Sequence, residues 1–187
     1  NPATIEALGR LCADAIFRST ESKRAICLHG DGANGKSVFT TSIPQIIPST
    51  SLFIHELATT KPLSVRVFTT PLVIIYYDYE LPKKQLRLAC QNIMNILLQN
   101  EIKGVYSKLY NPVPFKPNCR LLFISNTPPA WSEGFEMLHE LILSIEMPKR
   151  FLPDEADPDL KDSYRKLRLD TFDWICSAAR KKMETGG

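Results

Sequence analysis

Eight consecutive residues, 30–37, constrain the fold of this chain more than any other feature of the sequence. They read G-D-G-A-N-G-K-S and match the pattern G-x-x-x-x-G-K-[ST], in which backbone N–H groups surround a polyphosphate. A short apolar run, residues 25–29, precedes this phosphate loop, and a helical pattern starting at Gly35 or Lys36 follows it. Strand, glycine loop and helix in this order predict a nucleotide-binding α/β fold with a largely parallel central sheet flanked by helices.

The residue types in the loop indicate how it would bind a nucleotide. The helix that follows presents its positive end to the phosphates, Lys36 reaches the terminal phosphates, and the Ser37 hydroxyl is a ligand for Mg²⁺. ATP and Mg²⁺ are therefore the expected cofactors. The expected nucleotide contacts are the residues of the loop and the start of its helix: Gly30, Asp31, Gly32, Ala33, Asn34, Gly35, Lys36, Ser37 and Val38.

Polar residues follow two further apolar runs that are typical of buried strands. Residues 72–77 lead into Asp78 and Glu80, and residues 121–124 lead to Asn126. Ligands bind at the carboxyl ends of the strands in open α/β sheets, and ATP hydrolysis needs a metal ligand and a group that positions water. We expect Asp78 to hold Mg²⁺, Glu80 to polarise the water and Asn126 to contact the γ-phosphate. The two acidic roles are interchangeable on the sequence alone.

Length and composition limit the architecture and the classes of partner. The 187 residues fit a single domain, with an N-terminal helix at about 2–19, an ATPase core at about 25–152 and a C-terminal helical part at about 157–184. The first residue is Asn1 and the last two are glycines, so we interpret the chain as a fragment of a longer polypeptide. The net charge of +3 is too small to indicate a nucleic-acid-binding protein by itself.

The cysteines and the apolar runs exclude other classes of protein. The five cysteines are scattered, without the spacing of a zinc site or a disulfide framework, which favours a reducing intracellular compartment. Every apolar run is far shorter than the roughly 20 residues of a membrane helix. We therefore expect a soluble protein without membrane contact.

Three segments occur in the order found in superfamily 3 helicases. They read G-D-G-A-N-G-K-S-V-F, Y-Y-D-Y-E and K-L-Y-N-P-V-P-F-K-P-N-C-R-L-L-F-I-S-N-T-P-P. Over roughly residues 28–179 the chain resembles this superfamily, especially the primase-helicases of phages, plasmids and large DNA viruses related to the poxvirus enzyme. The resemblance implies an AAA+-like motor that forms a ring, commonly a hexamer, around single-stranded DNA or, alternatively, RNA. Each ATP site would lie at a subunit boundary, and a viral protein would act in the cytoplasm or nucleus of its host cell.

The resemblance also implies a β-hairpin that projects into the channel of the ring, at about residues 103–116. Lys103 and Lys108 would then contact nucleic-acid phosphates, whereas Tyr106 and Tyr110 would stack on bases or simply pack.

Members of the superfamily usually carry an arginine finger shortly after the Asn motif, and it reaches the ATP of the neighbouring subunit. The matching stretch here, residues 137–143, contains no arginine. Arg150 is the nearest candidate. It also resembles a separate basic position that often follows in the family.

Two other functions remain open on the sequence alone. A nucleotide-dependent assembly or loading module with low turnover is favoured by the missing arginine. A P-loop small-molecule kinase begins with the same strand, loop and helix, but the sequence lacks the clustered arginines expected of a kinase lid.

Overall fold

The computed structural model describes residues 2–19, 23–77, 80–106, 111–152, 154–155, 157, 159–160, 163 and 168–185. Its helices and strands are, in chain order, α1 (Pro2–Ile16), β1 (Ala25–His29), α2 (Lys36–Ser42), β2 (Ser49–Phe53), β3 (Leu63–Ser64), α3 (Val65–Phe68), β4 (Leu72–Tyr77), α4 (Lys83–Leu97), β5 (Ile102–Val105), β6 (Val113–Phe115), β7 (Arg120–Ser125), α5 (Met137–Leu141), β8 (Ile142–Glu146) and α6 (Arg168–Thr185). Short 3-10 turns occupy Ile43–Gln45 and Ile54–Leu57.

Five strands form the central sheet in the order β2-β4-β7-β1-β8, and every neighbouring pair is parallel. This confirms the predicted α/β fold with a largely parallel central sheet flanked by helices, which is consistent with a P-loop NTPase. The first strand, β1, lies between two strands that come much later in the chain. Connections therefore leave β1 and its neighbours toward opposite sides of the sheet, which opens a crevice at their carboxyl ends.

Alternate residues of the central strands face two separate cores, because successive side chains of a strand point to opposite faces. On one face, Cys27 and Phe123 pack with buried residues of α4 and of the turn Ile54–Leu57. On the other face, Ile26 and Leu122 pack with α1, with the 3-10 turn that follows α2 and with α6. Each fully buried aliphatic side chain of this kind stabilises the fold by about 1.5–3 kcal/mol. Burial on both faces explains why these strands read as continuous apolar runs.

A second, three-stranded sheet has the order β3-β5-β6 and contains the predicted hairpin. Its strands β5 and β6 are antiparallel, with Ile102 opposite Phe115. Because β6 directly precedes β7 and β3 closely precedes β4, this sheet lies at the amino-terminal edge of the central sheet. The residues between the two strands of the hairpin include 107–110, which lie outside the described part of the chain.

The N-terminal helix, predicted over about 2–19, ends at Ile16. It stops there because Arg18 takes a left-handed φ of 50° and the Ser19 N–H donates to the Asp14 carbonyl, which closes the last turn. In the C-terminal part, predicted as helical over about 157–184, Leu160 and Ser163 are helical and α6 covers Arg168–Thr185, while residues 161–162 and 164–167 lie outside the described part of the chain. Within the described residues, no helix is both long enough and apolar enough to cross a bilayer.

Candidate nucleotide-binding site

The loop between β1 and α2 turns through four residues with left-handed backbone angles: Gly30 (φ 144°), Gly32 (71°), Ala33 (46°) and Gly35 (90°). Glycine adopts such angles without steric cost, whereas an L residue pays roughly 1–2 kcal/mol. At Gly30 a Cβ atom would also lie 2.5 Å from the Met147 carbonyl oxygen and 2.6 Å from the Asn34 amide nitrogen. The glycines of the sequence pattern are thus required by this local backbone.

Lys36 is the first residue of α2 and only 7% of its surface is exposed. Its ammonium donates hydrogen bonds to the Gly30 carbonyl and, at 3.0 Å, to Asn34 Oδ1. A buried ammonium needs such acceptors, because burial without them disfavours the charged form. Both oxygens are neutral, so a phosphate oxygen would be a stronger acceptor than either of them. The loop therefore holds a desolvated cation whose contacts with these two oxygens an anionic ligand can replace.

Asn34 connects the loop to the segment that follows β8. Its Nδ2 donates to the Met147 carbonyl at 3.0 Å, and the Met147 N–H donates at 2.8 Å to the carbonyl of the last residue of β1. Four residues later, the Phe151 N–H donates to the Ala33 carbonyl at 2.8 Å. Residues 147–151, here called the docked segment, are thus hydrogen-bonded to the phosphate loop at both ends. Nothing in the local sequence indicated this contact.

The register of the strands aligns the ends of β4, β7 and β1. Ser125 pairs with His29 on one side and with Tyr77 on the other, and its hydroxyl donates to the Tyr77 carbonyl at 3.1 Å. Neighbouring strands are about 4.8 Å apart, so Asn126 leaves the sheet one strand spacing from Gly30. Asn126 is exposed at this edge. The structure brings it to the side of the loop, and its contact with a γ-phosphate stays a prediction.

The residues that follow Asn126 are fixed against the core. Trp131 packs edge-on against Tyr77 and Phe123, with ring centroids 6.0 and 5.7 Å apart, and the Tyr77 hydroxyl donates to the Ala130 carbonyl at 3.1 Å. Burial raises the pKa of Tyr77 above its ordinary value. Trp131 therefore covers the core and holds the chain after Asn126 in place.

The expected metal ligands and the general base are only partly described. Asp78 lies outside the described residues, and its predicted role as an Mg²⁺ ligand stays a prediction. Glu80 is exposed three positions beyond the end of β4, and Ser37 is exposed as the second residue of α2. Glu80 follows β4, and Ser37 lies in the first turn of the helix that follows the loop. Their roles stay predictions.

Arg150 is exposed within the docked segment, between two residues that bond to the phosphate loop of the same chain. The stretch 137–143, where the sequence resemblance implies an arginine finger, is close to another arginine. Arg24 precedes β1, whose Ala25 pairs with Ile142, and it lines a cavity of about 360 Å³ together with His139 and Glu140. The sequence did not indicate Arg24, because the pairing of β1 with β8 brings it close to residues 137–143, which are distant along the chain.

The candidate nucleic-acid contacts lie far from this site. Lys103 is exposed on β5 and Tyr106, just after that strand, is 54% exposed. Both belong to the sheet at the amino-terminal edge, opposite the phosphate loop. Lys108 and Tyr110 fall outside the described residues.

No protein-family model matches the chain, and no curated protein matches it. It is similar to three solved apo structures of the C-terminal region of NrS-1, with TM-scores of 0.62, 0.64 and 0.56 at 15%, 13% and 12% sequence identity. The matches cover 90%, 90% and 83% of this chain but only 40%, 40% and 37% of those chains. At such low identity the likeness establishes a shared fold and not a shared activity.

Proposed function

We propose that this chain is the ATP-hydrolysing motor of a replication helicase that acts as a homo-oligomeric ring on single-stranded DNA. The observation that carries the proposal is the buried Lys36 ammonium within a complete phosphate-loop pattern. That loop lies at the carboxyl edge of a five-stranded parallel sheet, beside Asn126.

Each residue has a role in the proposed hydrolysis. The loop N–H groups and Lys36 bind the β- and γ-phosphates, where charge increases as the phosphorus–oxygen bond to ADP breaks. Ser37 and Asp78 would hold Mg²⁺, which supplies charge neutralisation to the phosphates when it is bound. Glu80 accepts the proton of the attacking water, and Asn126 donates to the γ-phosphate and orients that water. Catalysis would come from placement and charge rather than from covalent chemistry.

The helicase part of the proposal rests on the hairpin sheet. It presents Lys103 and the exposed ring of Tyr106 at the edge opposite the ATP site. A lysine pairs with backbone phosphates and an exposed tyrosine stacks on any base, and together these contacts bind single strands without sequence preference. ATP binding and strand binding would thus occupy separate edges of one domain.

ATP turnover with and without single-stranded DNA or RNA tests this function, with Lys36→Ala as the variant and the exposed Lys61→Ala as the matched control. We expect turnover stimulated by single-stranded DNA in the parent and in the control. Lys36→Ala should reduce turnover at least about 100-fold, because a charge placed on the reacting phosphates is lost. Parental turnover in folded Lys36→Ala protein, judged by its thermal melt, would refute the site.

A second candidate function is a loading module that binds ATP and assembles without rapid turnover. The absence of arginine from residues 137–143 favours it, because a planar, permanently charged donor on the γ-phosphate accelerates hydrolysis by about 10³-fold or more. The same assay separates the two functions. A loading module would show ATP-dependent assembly, measured by mass, and turnover that does not respond to nucleic acid.

A further inference from the structure

The docked segment provides the phosphate loop with an aromatic neighbour. The Phe151 N–H is bonded at 2.8 Å to the Ala33 carbonyl, in the exposed outer part of the loop. At the other end of the segment, the Met147 carbonyl is so close to Gly30 that a single added methyl group would collide with it. Two contacts at separate points of the loop fix the position of the segment relative to the phosphate loop. Phe151 therefore belongs to the nucleotide site of its own chain.

The Phe151 side chain is 38% exposed, beside the exposed outer part of the loop. Its face is covered by the Lys149 ammonium, 4.5 Å from the ring centroid. That ammonium is also 4.0 Å from Glu155, whose carboxylate is held by the Leu152 N–H at 2.9 Å. A cation over an aromatic ring in contact with water is weakly bound. Lys149 can therefore move toward Glu155 and leave the ring face open.

We propose that Phe151 is the platform on which the base of the bound nucleotide stacks, and that the base takes the ring face that Lys149 covers in this structure. The inference rests on the proposed ATP binding and adds to it the group that recognises the nucleoside. The phosphates occupy the loop around Lys36, and the nucleoside extends from them past Ala33 to the ring. A planar nucleobase stacks readily on the face of an aromatic ring.

Stacking on a phenylalanine has a consequence for nucleotide choice. The ring offers no hydrogen-bond donor or acceptor, so it distinguishes bases only by the size of their π-face. We expect ATP and GTP to bind with similar affinity and both pyrimidine triphosphates to bind more weakly.

The test compares ATP with inorganic tripolyphosphate, which carries the phosphates but has no base. Dissociation constants of both are measured by calorimetry for the parent, Phe151→Ala, Phe151→Trp and the control Phe172→Ala. Phe172 is a similarly exposed phenylalanine, 42% exposed, on α6. We expect Phe151→Ala to weaken ATP binding about tenfold and to leave tripolyphosphate unchanged. Phe151→Trp should retain ATP affinity, and ATP, unlike tripolyphosphate, should quench its added indole fluorescence.

The possible failures can be told apart. If the parent binds neither ATP nor tripolyphosphate, the proposed ATP function itself is wrong. If the parent binds both ligands but Phe151→Ala leaves ATP affinity unchanged, only the base platform is wrong. Equal weakening of ATP and tripolyphosphate in Phe151→Ala would assign the ring a structural role in the loop and would also overturn the platform.

Discussion

Gly30→Ala tests the contact between the phosphate loop and the docked segment. Two costs add at this position. Its φ of 144° is unfavourable for an L residue, by roughly 1–2 kcal/mol, and the new methyl group would meet the Met147 carbonyl at 2.5 Å. Forced overpacking of this kind costs about 1–3 kcal/mol more. The total of about 2–5 kcal/mol is a large part of the roughly 5–15 kcal/mol that stabilises a folded domain.

Gly32→Ala is the matched control, because Gly32 has a φ of 71° and nothing lies within 4 Å of the position of its Cβ. It shares the backbone penalty, about 1–2 kcal/mol, without the collision. Urea unfolding followed by circular dichroism measures both variants. The clash should lower the midpoint of Gly30→Ala by about 1 M more than that of Gly32→Ala, for an m-value near 2 kcal/mol/M. Equal midpoints would refute the close docking of Met147 on the loop.

Three further predictions concern the proposed catalytic and nucleic-acid residues. Glu80→Gln should bind ATP as the parent does, measured by calorimetry. It should hydrolyse ATP at least about 100-fold more slowly, because the amide cannot accept the proton. If Asp78→Asn shows this phenotype instead, the roles of Glu80 and Asp78 are exchanged. Replacing Lys103 and Lys108 together by Ala should preserve basal ATPase and reduce the slope of log K against log salt for single-stranded DNA by about 1.4, at about 0.7 per phosphate contact. An unchanged slope would locate the strand elsewhere. Mixing Arg150→Ala subunits with phosphate-loop lysine variants should restore turnover above either alone if Arg150 acts across a subunit boundary; full activity of Arg150→Ala by itself would exclude it as the finger.

The sequence predicted those parts of the fold whose signal is local. A glycine pattern identifies the phosphate loop between its flanking strand and helix. The central strands are recognisable as continuous apolar runs, because they are buried on both faces. The edge strand β2 was missed, since Ser49–Phe53 is largely polar and only Leu52 is buried. An edge strand packed mainly on one side needs no apolar run.

The contacts of the site with distant segments could not be predicted for a different reason. Both bonds end on backbone carbonyls: the Asn34 side-chain amide donates to Met147, and the Phe151 N–H donates to Ala33. Every residue carries such a carbonyl. No residue type marks such a partner in advance. The neighbourhood of Arg24 and the end of α5 likewise exists only through the pairing of β1 with β8.

The position of β1 between β7 and β8 also governs the order in which the protein can fold. Ile26 lies beside Leu122 on one side and Leu143 on the other, so both neighbours of β1 are synthesised long after it. Non-local parallel pairing of this kind makes folding slow, because the entropy of closing a long loop is lost before the contacts form. During synthesis on the ribosome, β1 would have no neighbouring strand to pair with until β7 and β8 emerge. The nucleotide site is therefore among the last parts to be completed, and a nascent chain that stops before β8 has neither the docked segment nor a finished loop.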